Sequence, residues 1–325
     1  MPYPIENKIV IAVSSSALFD LSESDEVFRT RGEDAYREWM SVHSAEVLKP
    51  GNAFWFIKRF LSLNRGFAPG QGPAEVVLLS RNDPEAGIRI FKSIRHYELD
   101  IIRAAFLDGR SPYPYIGAFD AALFLSTNTE DVKAAVDAGL PAGLILSPGF
   151  GEDEEGELRI AFDFDGVIAG DEAERLYRSP GGQERFAETE LRKAETPLDP
   201  GPMKPFFEKL AALQQHQRAE GSAKAAGFTS QADLDGSAGI AGEPRTMIRT
   251  AIITARNAPA HERVINTLKR WGIFTDEIFF LGGIEKRRIL EAFKPHLFFD
   301  DQLRHFEDAG PMAACVHVPF GVANA

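Results

Sequence analysis

The stretch Leu158-Arg-Ile-Ala-Phe-Asp-Phe-Asp-Gly-Val-Ile-Ala-Gly-Asp171 decides the fold. Its apolar run, Ile160, Ala161 and Phe162, stops at Asp163 and Asp165, and Gly166 follows at once. An apolar run of this length closed by glycine predicts a buried strand entering a tight turn. Strand side chains repeat every second residue, so the two carboxylates leave on the same side. Carboxylates at the carboxyl end of a buried parallel strand sit where open α/β sheets bind ligands. Their mutual repulsion demands a cation, and a hard one such as Mg2+, shared with substrate phosphate, meets that demand.

Outward from this stretch the chain reads as two copies of one pattern. Ser80-Arg-Asn-Asp-Pro84 aligns with Ala255-Arg-Asn-Ala-Pro259, each after an apolar run and before an amphipathic helix. Phe106–Gly109 aligns with Phe280–Gly283, and Pro50-Gly51 with Pro200-Gly201. Alternating strands and helices at this spacing predict parallel α/β layers. We expect a first half over residues 1–150 and a second over 158–325, joined at the acidic run Gly151–Glu157. The charged segment 171–199 reads as a small helical cap, and the Gly/Ala/Ser-rich stretch 219–244 as a long surface loop.

The chemistry is not duplicated. Asp163 and Asp165 align with Ser14 and Ser16, Asp300 and Asp301 with Ser126 and Thr127, and Thr254 with Leu79. The first half is therefore read as a scaffold, or as a site for an effector nucleotide. In the second half four elements follow in order: Asp163-Phe-Asp165, Thr254, Lys286 and Asp300-Asp301, each at or just after a predicted strand end. Taken singly they have plainer readings. Thr254 is a plausible helix cap, Lys286-Arg-Arg288 a solvated charge cluster, and Asp300-Asp301 a cap for a helix near Gln302. Their common order argues for one site.

This order resembles the haloacid dehalogenase superfamily of phosphotransferases. Within it, Thr254-Ala-Arg-Asn-Ala-Pro-Ala-His261, Phe280-Leu-Gly-Gly-Ile-Glu-Lys286 and Phe298-Phe-Asp-Asp-Gln302 resemble the cytosolic 5′-nucleotidases of the type I, AMP-preferring group. The first motif departs from that group's Asp-Gly-Asp-Ala-Val, keeping both carboxylates. The resemblance implies two tandem Rossmann-type halves, the first degenerate. It implies that Asp163 attacks phosphorus and that Asp165 protonates the leaving oxygen and then activates water. Thr254 and Lys286 would hold the phosphoryl group. Asp163, Asp165, Asp300 and Asp301 would serve Mg2+, with the direct ligand of the last two left open. Arg256, Asn257 and Tyr177 are weaker candidates for substrate contact, and His261 and His305 read as packing or surface residues.

Composition narrows the field further. A net charge of −12 and no Lys/Arg-rich stripe argue against nucleic acid as a partner. No apolar stretch approaches the roughly 18 residues of a membrane helix, and the N-terminus lacks a signal-peptide pattern. The single cysteine, Cys315, excludes an intramolecular disulfide and reads as a buried structural thiol in a cytoplasmic protein. The expected function is Mg2+-dependent hydrolysis of nucleoside 5′-monophosphates. Two rivals stand beside it: a phosphatase of sugar phosphates or other small phosphomonoesters, and a non-catalytic nucleotide-sensing protein. Self-association into a homo-oligomer stays open.

Overall fold

The computed structural model describes residues 3–151, 156–225, 247–307 and 309–324. Among these residues ten strands form one sheet: β1 (Ile9–Val13), β2 (Ala74–Ser80), β3 (Arg103–Phe106), β4 (Ala121–Ser126), β5 (Ala142–Ile145), β6 (Glu157–Phe162), β7 (Met247–Thr254), β8 (Glu277–Phe280), β9 (Leu297–Asp300) and β10 (Ala314–His317). Their order is β3-β2-β1-β4-β5-β10-β9-β6-β7-β8. Every neighbouring pair is parallel except β5 and β10, which meet antiparallel through Ile145–Val316 and Leu144–His317. From either outer edge the order runs third, second, first, fourth, fifth strand. It is a mostly parallel, Rossmann-like sheet of the haloacid-dehalogenase kind.

The inner strands are apolar throughout because both faces are covered. Alternate residues separate the two cores. Ile9, Ile11 and Val13 of β1 join Leu158, Ile160 and Phe162 of β6 in one cluster that runs under both halves of the sheet. Helices α3 (Phe54–Leu61) and α8 (Lys204–Ala225) cover that face with Phe54, Phe56, Phe206 and Phe207. The opposite face holds two separate clusters, one around Val10 and Phe124 and one around Ala161, Phe298 and Cys315. Cys315 is buried, and burial pushes its thiol up to about 11, as a packing role requires.

Between β6 and β7 the chain forms α6 (Glu172–Arg178), α7 (Gly182–Arg192) and α8. Later come α9 (His261–Trp271) and α10 (Lys286–Phe293). The expected loop at 219–244 is corrected in part: residues 219–225 continue α8, and the rest of that stretch lies outside the described residues, as do residues 152–155 of the acidic junction. Among the described residues no helix is long and apolar enough to cross a membrane.

The paired Pro-Gly motifs have a physical reason. A Cβ on Gly201 would lie 2.4 Å from Ala169 O and 2.5 Å from Val167 O, and one on Gly51 2.7 Å from Ala17 O. Each glycine lets a helix-entry turn press its backbone against the loop that follows β6 or β1, sealed by Gly201 N–H to Ile168 O (2.8 Å) and Gly51 N–H to Leu18 O (2.9 Å). Main-chain atoms cannot yield as side-chain ends do. Gly201→Ala is expected to cost about 1–3 kcal/mol, the scale of overpacking. Denaturant unfolding checks this, and parental stability in the variant would refute the close approach.

Candidate active site

The strand order reverses between β6 and β9, and such a switch point opens a crevice at the strands' carboxyl ends. Asp163 follows β6 directly. Its backbone N–H donates to Phe299 O at 2.8 Å, and its Oδ1 accepts the Phe164 N–H at 2.7 Å. Asp300 ends β9, and Thr254 ends β7 with its hydroxyl accepting the Arg256 N–H at 3.3 Å. Lys286 opens α10 and is buried, whereas Arg287 and Arg288 are exposed, so it is no member of a solvated charge cluster. The helix that follows β7 starts only at His261, so Thr254 does not cap it.

One lysine bridges two of three buried carboxylates here. Lys286 Nζ lies 2.8 Å from Asp163 Oδ2 and 2.7 Å from Asp300 Oδ2. Asp163 is 5% exposed, Asp300 0% and Asp301 2%. Burial raises Asp163 to about 6, with Asp300 adding to the shift and Lys286 opposing it. Burial, Asp163 and Asp300 together push Asp301 up to about 8. Asp300 falls below its ordinary value, because Lys286 and His305 overcome the effect of burial. Burial works against the Lys286 charge, but Asp163 and Asp300 outweigh it and hold its pKa above the usual range.

This arrangement fits a divalent cation. Asp301 Oδ1 is buried without any hydrogen-bond partner. Gly166, at φ +77°, leaves room for that carboxylate: a Cβ there would lie 2.6 Å from Asp301 Oδ2. The ligand atoms of Asp163, Asp300 and His305 lie within 4.8 Å of one another, but the oxygens of Asp300 are already occupied. They accept from Lys286, from the Gln302 N–H at 2.9 Å, and contact His305 Nδ1 at 2.8 Å. Asp300 thus anchors Lys286, whereas Asp301 keeps an oxygen without a partner. An all-carboxylate donor set suits a hard cation.

Asp165 lies on the rim of a cavity of about 400 Å³ that Asp163, Thr254, Arg256, Asn257 and Tyr177 also line. That volume falls in the roughly 300–1,000 Å³ range of small-molecule sites. Arg256 is not a mere turn residue. Its Nε and Nη2 donate to the two oxygens of Asp165, both at 2.7 Å. Tyr177 is half-exposed on α6, its ring edge-on to Phe186 of α7 at 5.9 Å, and Asn257 is exposed. All of the residues picked out from the sequence thus gather around one crevice.

Three residues of this region escaped the sequence reading. His305 sits against Asp300 and is no plain surface or packing residue. Glu190 of α7 and Arg263 of α9 are buried at 1% exposure each and bonded to one another. One pairing also shifts. By hydrogen bonds, Thr254 corresponds to Ser80 and not to Leu79: Leu281 N–H donates to Thr254 O, and Leu107 N–H to Ser80 O.

A parallel sheet that brings carboxylates and a buried lysine to its switch point belongs with the α/β phosphotransfer folds. The chain belongs to the 5′-nucleotidase family, whose model matches residues 1–325. It is 31% identical over 319 residues to cytosolic 5′-nucleotidase 1B of Homo sapiens, a match that covers 95% of this chain and 48% of that protein. The chain thus spans about half the length of the curated relative it matches. No solved structure matches it. Family membership, together with the acidic cluster, implies dependence on a divalent metal.

Proposed function

We propose that this chain is a Mg2+-dependent 5′-nucleotidase that converts nucleoside 5′-monophosphates to nucleoside and phosphate. The observation that carries this is Asp163, paired with Lys286 at the base of a nucleotide-sized cavity in a member of the 5′-nucleotidase family. An oxygen of Asp163 attacks phosphorus, the bond to the 5′-oxygen breaks, and Asp165 gives that oxygen a proton. Asp165 then takes a proton from water, which attacks the aspartyl-phosphate and frees Asp163 and inorganic phosphate. Thr254 and Lys286 hold phosphoryl oxygens through these steps. Asp163 and Asp301, whose Oδ1 has no partner, would hold Mg2+, which would supply charge neutralisation and orientation of the phosphate. Arg256, Asn257 and Tyr177 bound the space left for the nucleoside.

We further propose that residues 1–150 and 158–325 are tandem halves and that 171–199 is the cap. The matching strand orders support the division, and α6 and α7 beside the cavity support the cap. A cytoplasmic location is consistent with the buried free thiol and the cytosolic relative. In the first half, Ser16 Oγ bonds Thr127 Oγ1 at 2.6 Å and Ser15 Oγ bonds Ser80 Oγ at 2.8 Å. Hydroxyls that satisfy one another in this way favour a scaffold.

The test is phosphate release from a panel of nucleoside 5′-monophosphates and sugar phosphates, with Mg2+ and with chelator. Release from nucleotides that stops on chelation is the expected result. Release confined to sugar phosphates would keep the chemistry and discard the substrate. No release from folded protein would overturn the reading.

A further inference from the structure

The bond network around Asp165 does not end at the crevice. Arg256 uses two nitrogens on Asp165, and its Nη1 donates to Glu190 Oε2 on cap helix α7. Glu190 Oε1 accepts from Arg263 Nη1 at 2.8 Å. Arg263 continues to Glu172 Oε2 of α6 at 2.9 Å and to Thr196 O at 2.9 Å. Glu172 Oε1 takes Lys193 Nζ at 2.5 Å. Three carboxylates and three cations thus tie α6, α7 and α9 to one side chain of the crevice. The Arg256 guanidinium also lies 5.7 Å from the ring centres of Phe164 and Phe186.

Burial makes this costly unless it has a use. The side chains of Arg256, Arg263 and Glu190 are 3%, 2% and 1% exposed. Buried ion pairs seldom raise stability above an apolar filling, but they do impose geometry. The first half supplies an internal comparison. Bridges pair Phe19 with Pro50 and Ala169 with Pro200, so counting back ten residues from each proline reaches Met40 and Glu190. Ser16 likewise stands where Asp165 does. The Arg263 counterpart is Arg89: each lies four residues before the hydroxyl that accepts from Leu48 or Leu198 N–H. Arg89 turns instead to Glu46, through its carbonyl O at 3.1 Å and its carboxylate at 3.5 Å, and to the Trp39 ring. Where Ser16 replaces the acid, Met40 replaces the carboxylate of Glu190.

We propose that Arg256 is the positioning residue for Asp165, and that Glu190, clamped by Arg263, fixes Arg256 to the docked cap. A bidentate guanidinium fixes a carboxylate in plane and direction. It occupies two of the roughly four lone-pair sites of Asp165, leaving others free to exchange a proton on the cavity side. Proton transfer to the leaving oxygen is therefore coupled to cap docking through a single arginine. This inference rests on the proposed function, which makes Asp165 the acid.

Leaving groups separate positioning from mere structure. A nucleoside 5′-alkoxide needs the proton, whereas p-nitrophenolate leaves without one. Arg256→Ala and Glu190→Met should lower kcat on a nucleoside 5′-monophosphate about 10–100-fold, the scale of a misplaced catalytic group. KM should stay within about threefold, and the first-turnover burst of p-nitrophenol should keep its rate. Added guanidinium should restore part of the Arg256→Ala loss. Glu190→Gln, nearly isosteric, repeats the test should Glu190→Met unfold. Equal losses on both substrates, or a raised KM with kcat unchanged, would overturn the positioning role and make Arg256 a structural or substrate-binding group. A parent chain inactive on every phosphate ester would instead overturn the proposed function itself.

Discussion

Asp163→Asn should abolish turnover, lowering phosphate release by about 10⁴-fold or more, as loss of a nucleophile does. An amide nitrogen's lone pair is delocalised into the carbonyl, and the amide oxygen is a far weaker nucleophile than a carboxylate. The fold should survive. Asn has the same shape, and Lys286 keeps its 2.7 Å contact with Asp300. One contact must suffer, because Asp163 accepts both the Phe164 N–H and the Lys286 ammonium. An amide offers one acceptor and one donor, so a donor meets a donor at one of these places. That mismatch costs about 1–3 kcal/mol, offset by relief of repulsion from Asp300 and Asp301. Single-turnover assays with thermal unfolding check both statements. A variant that keeps a tenth of the parent rate would exclude Asp163 as nucleophile.

The nucleophile was legible because it sits at a strand end. Runs such as Ile160–Phe162 and Leu297–Phe299 announce buried strands, and parallel strands put their carboxyl ends on one edge. Every site residue read from the sequence except Tyr177 lies within about six positions of such an end. Glu190 and Arg263 do not share that property. Glu190 reaches Arg256 across 66 residues and Arg263 across 73, from helix faces whose partners only the fold determines. In the sequence, Glu188-Thr-Glu190 is ordinary solvated helix. The end of α8 was hidden for another reason. Ala219 to Ala225 lacks apolar periodicity, but alanine sustains a helix already anchored by Phe206, Phe207 and Gln214. The slip from Ser80 to Leu79 arose from matching Arg-Asn letters where the strand ends differ by one residue.

Lys286→Met should destabilise the protein by about 3–5 kcal/mol, the cost of leaving buried charge without its partner. Methionine fills similar volume, so packing is spared and the electrostatic loss is isolated. Asp163, Asp300 and Asp301 would remain, all nearly sealed from water, with His305 in contact with Asp300. The first half shows what a lysine-free version of this site looks like. Counting from the matched strand ends Phe106 and Phe280, Pro112 takes the place of Lys286. Ser14, Ser126 and Thr127 take those of the three aspartates, so acids and cation are absent together. The lysine therefore belongs to the carboxylates rather than to the scaffold. A divalent ion at Asp163 and Asp301 can assume part of its task, so Mg2+ should raise the melting temperature of Lys286→Met by more than that of the parent. Thermal unfolding of both proteins with Mg2+ and with chelator measures this. A variant as stable as the parent and indifferent to the ion would mean that the three carboxylates are not held together by charge.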